Sequence, residues 1–256
     1  MSQVNKQSCK IVKRDVLGTD IISLVIECPK ITANAKAGQF VNVYCKDGAK
    51  LLPRPISLCG IDKENGCIRI VFRVVGEGTK EIAAYAEGDS IEVMGPLGNG
   101  FPIINDKKAI IIGGGIGIPP MLGLAKELQC EKNIVLGYRD ELFLNEEFEG
   151  LGNIYISSED GKTGTKGNVI DAIKANVVEG DVIFACGPTP MLRGIKEYAA
   201  ANNITAYISL EERMACGIGA CLACVCKSKE KDHHTNVNNK RICKDGPVFE
   251  ATEVEI

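Results

Sequence analysis

Four cysteines carry the clearest chemical signal in this sequence. Cys216, Cys221 and Cys224 form a C-x4-C-x2-C pattern within CGIGACLAC, and Cys243 follows after eighteen intervening residues. This is a spacing used to hold a [2Fe–2S] cluster: thiolates wrap the irons, and glycines between them let backbone N–H groups approach the sulfurs. Structural zinc is the rival ligand, but zinc sites usually pair their cysteines as two C-x2–4-C knuckles, and Cys243 stands alone. Cys226 lies two residues after Cys224, so in an extended segment both side chains point the same way and Cys226 could exchange as a ligand. Three ligands are already supplied by the x4–x2 spacing, which favours reading Cys226 as a free thiol. The adjacent His233 and His234, in the polar run from Lys227 to Arg241, are weaker ligand candidates.

A second set of residues is suited to a diphosphate. Leu52-Pro53-Arg54-Pro55-Ile56-Ser57 reads as a segment leaving a strand, Val71-Phe72-Arg73 ends another, and Gly76-Glu77-Gly78-Thr79 opens a helix. Prolines on both sides of Arg54 fix the backbone and hold a planar guanidinium ready for phosphate oxygens. Gly78 and Thr79 at a helix start offer free N–H groups to the same phosphates. A third set is rich in glycine. Gly113-Gly114-Gly115-Ile116-Gly117-Ile118-Pro119-Pro120 lies between a strand and a helix and imitates a dinucleotide fingerprint, with Pro120 where its third glycine would stand. Cys186-Gly187-Pro188-Thr189-Pro190-Met191-Leu192 lies at a second strand end, where open parallel sheets bind ligands.

The elements that must position these residues fall into two rhythms. Up to about residue 101, short β-rich runs (DIISLVIEC, QFVNVYC, CIRIVFRVVG, SIEVMG) alternate with turn residues, predicting an antiparallel barrel or sandwich. One helix, KEIAAYA, interrupts them, with Thr79 as its cap and Gly88 as its stop. From 102 to 210 strand and helix alternate: KAIIIG, PPMLGLAKELQ, NIVLGY, a short acidic helix near ELFLNEEFE, NIYISS, GNVIDAIKAN, DVIFAC, PMLRGIKEYAAA and ITAYISLE. That order predicts a parallel sheet covered on both faces, a nucleotide-binding type of domain. From 211 to 256 the chain is rich in Gly and Cys and then polar, so a ligand is expected to organise it. The fold class is thus β plus α/β, with three units at 1–101, 102–210 and 211–256.

Composition narrows the function. With 256 residues, 45% of them hydrophobic, the chain can bury a sizeable core. Thirty Lys plus Arg against 33 Asp plus Glu give a net charge of −3 without a basic stripe, which argues against a nucleic-acid partner. The start, MSQVNKQSCKIVKRD, has no apolar signal core, so the expected compartment is the cytoplasm. There thiols stay reduced, and the twelve cysteines are not a disulfide framework. Seven of them precede Cys216, mostly in apolar runs, and read as small core residues. The apolar run Ala109 to Ala125 holds five glycines and two prolines and is rejected as a membrane span.

The motifs RPIS, GT, GGGIGIPPM and CGPTPML together resemble the ferredoxin–NADP reductase superfamily. With SLEERMACGIGACLACVC and RICKDGPVF added, the chain more closely resembles the electron-transfer subunits of NAD-dependent (class 1B) dihydroorotate dehydrogenases, over essentially its whole length. The resemblance implies an FAD-binding barrel, with FAD at Arg54, Pro55, Ile56, Ser57, Val71, Phe72, Arg73, Gly78 and Thr79. It implies a nicotinamide nucleotide at Gly115, Gly117, Cys186, Gly187 and Pro188, and a [2Fe–2S] cluster on Cys216, Cys221, Cys224 and Cys243. Ser57 is then expected near the reactive flavin nitrogen, and Cys186 and Glu211 are candidates to line the nicotinamide pocket.

NADH delivers two electrons together and a [2Fe–2S] centre takes one at a time, so a flavin between them serves as the converter. No side chain is needed as an acid or base. The implied partner is an FMN-containing catalytic subunit that oxidises dihydroorotate in pyrimidine biosynthesis, in a heterotetramer of two plus two. NAD(H) over NADP(H) rests mainly on the resemblance; Glu159 and Asp160 after NIYISS are read either as repelling a 2′-phosphate or as a plain acidic turn. Two other readings stay open. One is a small flavin and iron–sulfur subunit of an NADH-dependent ferredoxin:NADP or sulfide-linked oxidoreductase, and the other is a non-enzymatic zinc-binding module.

Overall fold

The computed structural model describes residues 6–231 and 236–256; His233 and His234 lie outside the described residues. Six strands form a closed antiparallel barrel: β1 (Lys6–Gly18), β2 (Ile21–Glu27), β3 (Phe40–Tyr44), β4 (Arg54–Asp62), β5 (Cys67–Arg73) and β6 (Ser90–Leu97), in the order β1-β2-β5-β4-β3-β6. Alternation drives it. In β6 every second side chain is buried, and Ile11, Leu24, Val41, Val43, Ile70 and Val93 fill the interior. Closure leaves no open edge. A short α1 (Pro29–Thr32) and α2 (Glu77–Ala83) complete this part.

Two expectations are corrected here. The Arg54 motif does not leave a strand but begins β4, and Pro55 sits opposite Asn42 of β3. Proline is tolerated at a strand start, where it removes little of the ladder. The helix also starts earlier than Thr79. Gly76 precedes its first turn, and Thr79 acts from the third helical position, its hydroxyl accepting the Val75 and Gly76 N–H groups at 2.9 and 3.0 Å. β1 escaped the sequence reading because charged residues face outward along most of it.

The second part is a mostly parallel sheet built from β7 (Ala109–Gly114), β8 (Lys132–Tyr138), β9 (Asn153–Ser158), β10 (Thr165–Lys166), β11 (Val182–Cys186) and β12 (Thr205–Ser209). Helices α3 (Ile118–Glu127), α4 (Val169–Ala175) and α5 (Thr189–Ala201) connect them. All six residues of β7 are buried, as a strand covered on both faces requires. Pro119 and Pro120 fall in the first turn of α3, where a missing N–H costs nothing. The acidic segment forms only a short 3-10 turn, Asn145–Phe148.

The C-terminal part holds β13 (Val225–Ser228), β14 (Asn239–Arg241), β15 (Val248–Glu250) and β16 (Val254–Glu255). β14, β13 and β16 make a small antiparallel sheet. β15 instead joins the large sheet, pairing antiparallel with β12 and completing the order β10-β9-β8-β7-β11-β12-β15. The expectation that a ligand alone organises this tail is therefore corrected. Ile242, Val248, Phe249, Ala251 and Val254 are buried, and most share a core with Ile110, Ile183 and Ile208 of the large sheet. Runs of two or three residues are too short for periodicity to reveal.

Barrel and sheet also share a core. Phe101 packs edge-on against Phe184 of β11 at 5.8 Å, and α3 lies against β4, where a Cβ on Gly123 would stand 3.0 Å from the Cys59 carbonyl. Arg69 of β5 donates to Glu147 at 2.6 and 2.8 Å across the same junction. No helix among the described residues is long and apolar enough to cross a membrane.

Candidate functional site

A cleft of about 390 Å³ opens where the barrel, the large sheet and the C-terminal part meet. Arg54, Pro55, Ile56 and Ser57 of β4, Val71, Phe72 and Arg73 of β5, and Thr79 of α2 all line it. The strand register explains this: Phe40 of β3 faces Ser57, and Ile22 of β2 faces Phe72, which sets the ends of β4 and β5 side by side on one flank of the barrel. Gly78 lies behind them. A Cβ there would come within 2.0–2.1 Å of the Arg54 guanidinium, so only glycine lets this arginine lie over the start of α2. One Arg54 N–H donates to the Leu52 carbonyl, leaving the rest of the fork free for an anion.

Other lining residues gave little or no signal in the sequence. Ile116 comes from the glycine-rich turn, Leu210, Glu211, Glu212 and Met214 from the segment before the cysteine loop, and Phe40, Val75 and Pro247 complete the wall. Glu211 opens onto the cleft, yet the surrounding protein strips its solvation and raises its carboxyl above the usual range.

The glycine-rich turn and the Cys186 turn are abreast, because Gly113 of β7 pairs with Cys186 of β11. β8 and β9 extend from one side of β7, and β11 and β12 from the other, so these carboxyl ends flank the switch point where ligands of open parallel sheets bind. Gly117 permits close contact: a Cβ would stand 2.3 Å from the Cys186 carbonyl oxygen. Gly115 has positive φ (+53°) and open space where a Cβ would point, so the turn presents bare backbone to the crevice. Gly187 is buried and packs on Met191, while Pro188 is exposed at the entrance to α5. The Cys186 thiol is buried and held high by desolvation, with the Glu211 charge adding and Ser209 opposing.

The cysteine loop sits on the same flank. Cys216 Sγ accepts backbone N–H groups from Ala220 (3.3 Å) and Ile218 (3.5 Å), Cys243 Sγ from Gly219 (3.1 Å), and Cys224 Sγ from Cys243 (3.4 Å). Gly217 and Gly219 have φ of +72° and +82°, which turns successive N–H groups toward the sulfurs. Burial opposes ionisation of Cys216, but the N–H groups of Ile218, Cys221 and Ala220 and the Cys221 thiol outweigh it and bring its pKa down to about 6. Cys243 is pushed up to about 12 by desolvation and by the adjacent Cys224 sulfur.

Cys216 interacts most directly with the Cys221 thiol and Cys243 with the Cys224 sulfur, while the Cys216 sulfur also acts on Cys243. Among the described residues no three His, Cys, Asp or Glu side chains gather as ligands of a single metal ion. Two pairs with inward N–H groups fit a binuclear cluster, in which each iron takes two thiolates, better than a tetrahedral zinc ion. Cys226 lies in β13, half-buried against the core that includes Cys224, and burial raises its thiol. Of the seven earlier cysteines, Cys9, Cys28, Cys59, Cys67 and Cys186 are buried and Cys45 and Cys130 half-buried; all are free.

A barrel with an arginine-bearing cleft, a dinucleotide crevice and a cysteine loop facing one another define a flavin- and iron–sulfur-dependent reductase. Residues 8–101 match the profile of the oxidoreductase FAD-binding domain, and residues 211–255 that of the iron–sulfur cluster binding domain of dihydroorotate dehydrogenase B. The chain belongs to the family of dihydroorotate dehydrogenase B (NAD(+)) electron transfer subunits. It is 45% identical to that subunit of Caldanaerobacter subterraneus subsp. tengcongensis over 218 residues, covering 85% of this chain and 86% of the relative. It is 41% identical to that of Fusobacterium nucleatum subsp. nucleatum over 263 aligned positions, covering 98% of each.

Among solved structures, a chain of the NADH-dependent reduced ferredoxin-NADP oxidoreductase superposes with a TM-score of 0.87 at 30% identity, covering 96% of this chain and 89% of that one. A ferredoxin reductase of carbazole 1,9a-dioxygenase shares the fold alone, with a TM-score of 0.66 at 19% identity over 78% of this chain and 67% of that one.

Proposed function

We propose that this chain relays electrons from dihydroorotate, oxidised on the FMN of a partner catalytic subunit, through a [2Fe–2S] cluster and FAD to NAD⁺, in the pyrimidine biosynthesis of the cytoplasm. The observation that carries this reading is convergence: the Arg54–Ser57 strand, Ile116 of the glycine turn and Met214, two residues before Cys216, line one cleft. Bound there, FAD would exchange hydride with a nicotinamide and single electrons with the cluster. Arg54 would hold the diphosphate with its fixed fork, assisted by the backbone at Gly78 and Thr79. Ile56, Ser57, Val71, Phe72 and Arg73 would form the wall beside the ring system and orient it toward Ile116.

Gly115 and Gly117, with Cys186, Gly187 and Pro188, would receive NAD(H) at the carboxyl ends of β7 and β11. Cys216, Cys221, Cys224 and Cys243 would hold the cluster, with Cys226 outside the ligand set. Cys221 is exposed between Ile218 and Leu222, which are 51% and 57% exposed, and this apolar rim supports docking of the partner over the cluster. An assembly of two plus two, and functional units at 1–101, 102–210 and 211–256, belong to the same reading. The ferredoxin-NADP reading draws on the 0.87 TM-score, but its 30% identity falls below the 41–45% to the dihydroorotate dehydrogenase subunits.

The test is absorbance and copurification. Freshly purified protein should show a flavin band and an iron–sulfur shoulder, and the copurified partner should be an FMN protein bleached by dihydroorotate. Absence of either chromophore would sink the relay, and a large multi-cluster flavoprotein as partner would favour the ferredoxin-NADP reading.

A further inference from the structure

Asn42 is fully buried in the middle of β3, and so complete a burial is normally given to apolar side chains. Val41 and Val43 point into the barrel core, so Phe40 and Asn42 face outward. Across the ladder Phe40 faces Ser57 and Asn42 faces Pro55. These four residues share one face, and Phe40, Ser57 and Pro55 all line the cleft. Asn42, the fourth, is covered by the cysteine loop: its Nδ2 donates to the Cys216 carbonyl at 3.2 Å.

The loop is shaped to receive it. A Cβ on Gly217 would stand 2.3 Å from Asn42 Nδ2, so glycine makes the space in which the amide lies. Asn42 Oδ1 has no hydrogen-bond partner. A buried acceptor left unpaired is destabilising, and a leucine of similar volume would avoid that cost. Turning the amide would set Oδ1 against the Cys216 carbonyl, oxygen against oxygen, so the orientation with Nδ2 on Cys216 is enforced. The unmatched oxygen is the consequence of keeping that donor on the loop.

We infer that Asn42 is a positioning residue that docks the first cysteine of the cluster loop onto the flavin-binding strands and so fixes the separation between cluster and flavin. This rests on the relay reading above. With a cluster held by Cys216, the connection from the cleft would run from Pro55 across the strand pair to Asn42 and over one hydrogen bond to the Cys216 carbonyl. Gly217 is its counterpart on the loop.

The experiment uses the full chain copurified with its partner, comparing wild type with Asn42→Leu and with Asn42→Ala, both of which remove the amide donor and leave the loop's own residues unchanged. Flavin and iron content, the electron paramagnetic resonance spectrum of the reduced cluster, and the anaerobic rate of cluster reduction by NADH are measured. We expect full flavin, an altered cluster spectrum and about tenfold slower cluster reduction, on the scale that small misplacements of reacting groups produce. Loss of the cluster with flavin retained would also support docking. Wild-type spectrum and rate in both variants would overturn the assignment to Asn42 while leaving the relay intact, and so would joint loss of flavin and cluster, which marks a general fold residue. Wild-type protein lacking either chromophore would instead remove the relay reading itself, and this inference with it.

Discussion

The cleft and the cysteine loop are built in opposite ways. In the cleft, regular ladders place the side chains: β4 and β5 bring Arg54 to Ser57 and Val71 to Arg73 to one flank because their registers are fixed. In the loop, turns of the backbone aim the groups. Positive φ at Gly217, Gly219 and Leu222 turns the chain so that its N–H groups point at sulfur, and no ladder runs through residues 216–224. A site on strands depends on a fixed register and on a few side chains; a site on turns depends on each cysteine and on the glycines between them.

The largest effect that would test this contrast is at the loop. Cys243→Ser removes one of two paired thiolates, and we expect loss of the iron–sulfur absorbance with the flavin band retained; a cluster that survives would break the ligand assignment. Next is Gly78→Ala, whose Cβ drives the Arg54 guanidinium off the start of α2. Loss of charge-assisted hydrogen bonds to a diphosphate is expected to weaken FAD about tenfold to a hundredfold, read by flavin fluorescence titration, with the cluster unaffected. Unchanged affinity would show that Arg54 does not hold the phosphates.

A smaller effect belongs to the junction between the barrel and the large sheet. Arg69→Gln removes the Glu147 ion pair, and solvent reaching Glu147 limits the loss of stability to about 1 kcal/mol by denaturant unfolding. Smallest is Cys226→Ser, where we expect unaltered cluster absorbance; bleaching there, with Cys243→Ser harmless, would reverse the ligand set.

The same contrast explains what could be read from the sequence. The cysteine loop was legible because its ligands lie close in sequence, and C-x4-C-x2-C with interleaved glycines is local chemistry. The barrel strands with clean alternation and the strand–helix rhythm from Ala109 to Ser209 were legible for the same reason. β1, with charged residues along its outer side, was not, nor was β4 behind its prolines, because pairing partners and not local pattern made them strands. The start of α2 was misplaced by three residues, since Thr79 caps from inside the helix.

The sequence by itself thus determined the ligand chemistry, the fold class and the order of the three parts. Tertiary structure decided what no spacing encodes: that β15 returns to the large sheet, that Ile116 and Met214 close the cleft, and that Asn42 meets the Cys216 carbonyl across 174 residues of chain. Motifs record groups that must lie close along the backbone. Contacts between distant segments arise only when burial and strand register bring them together.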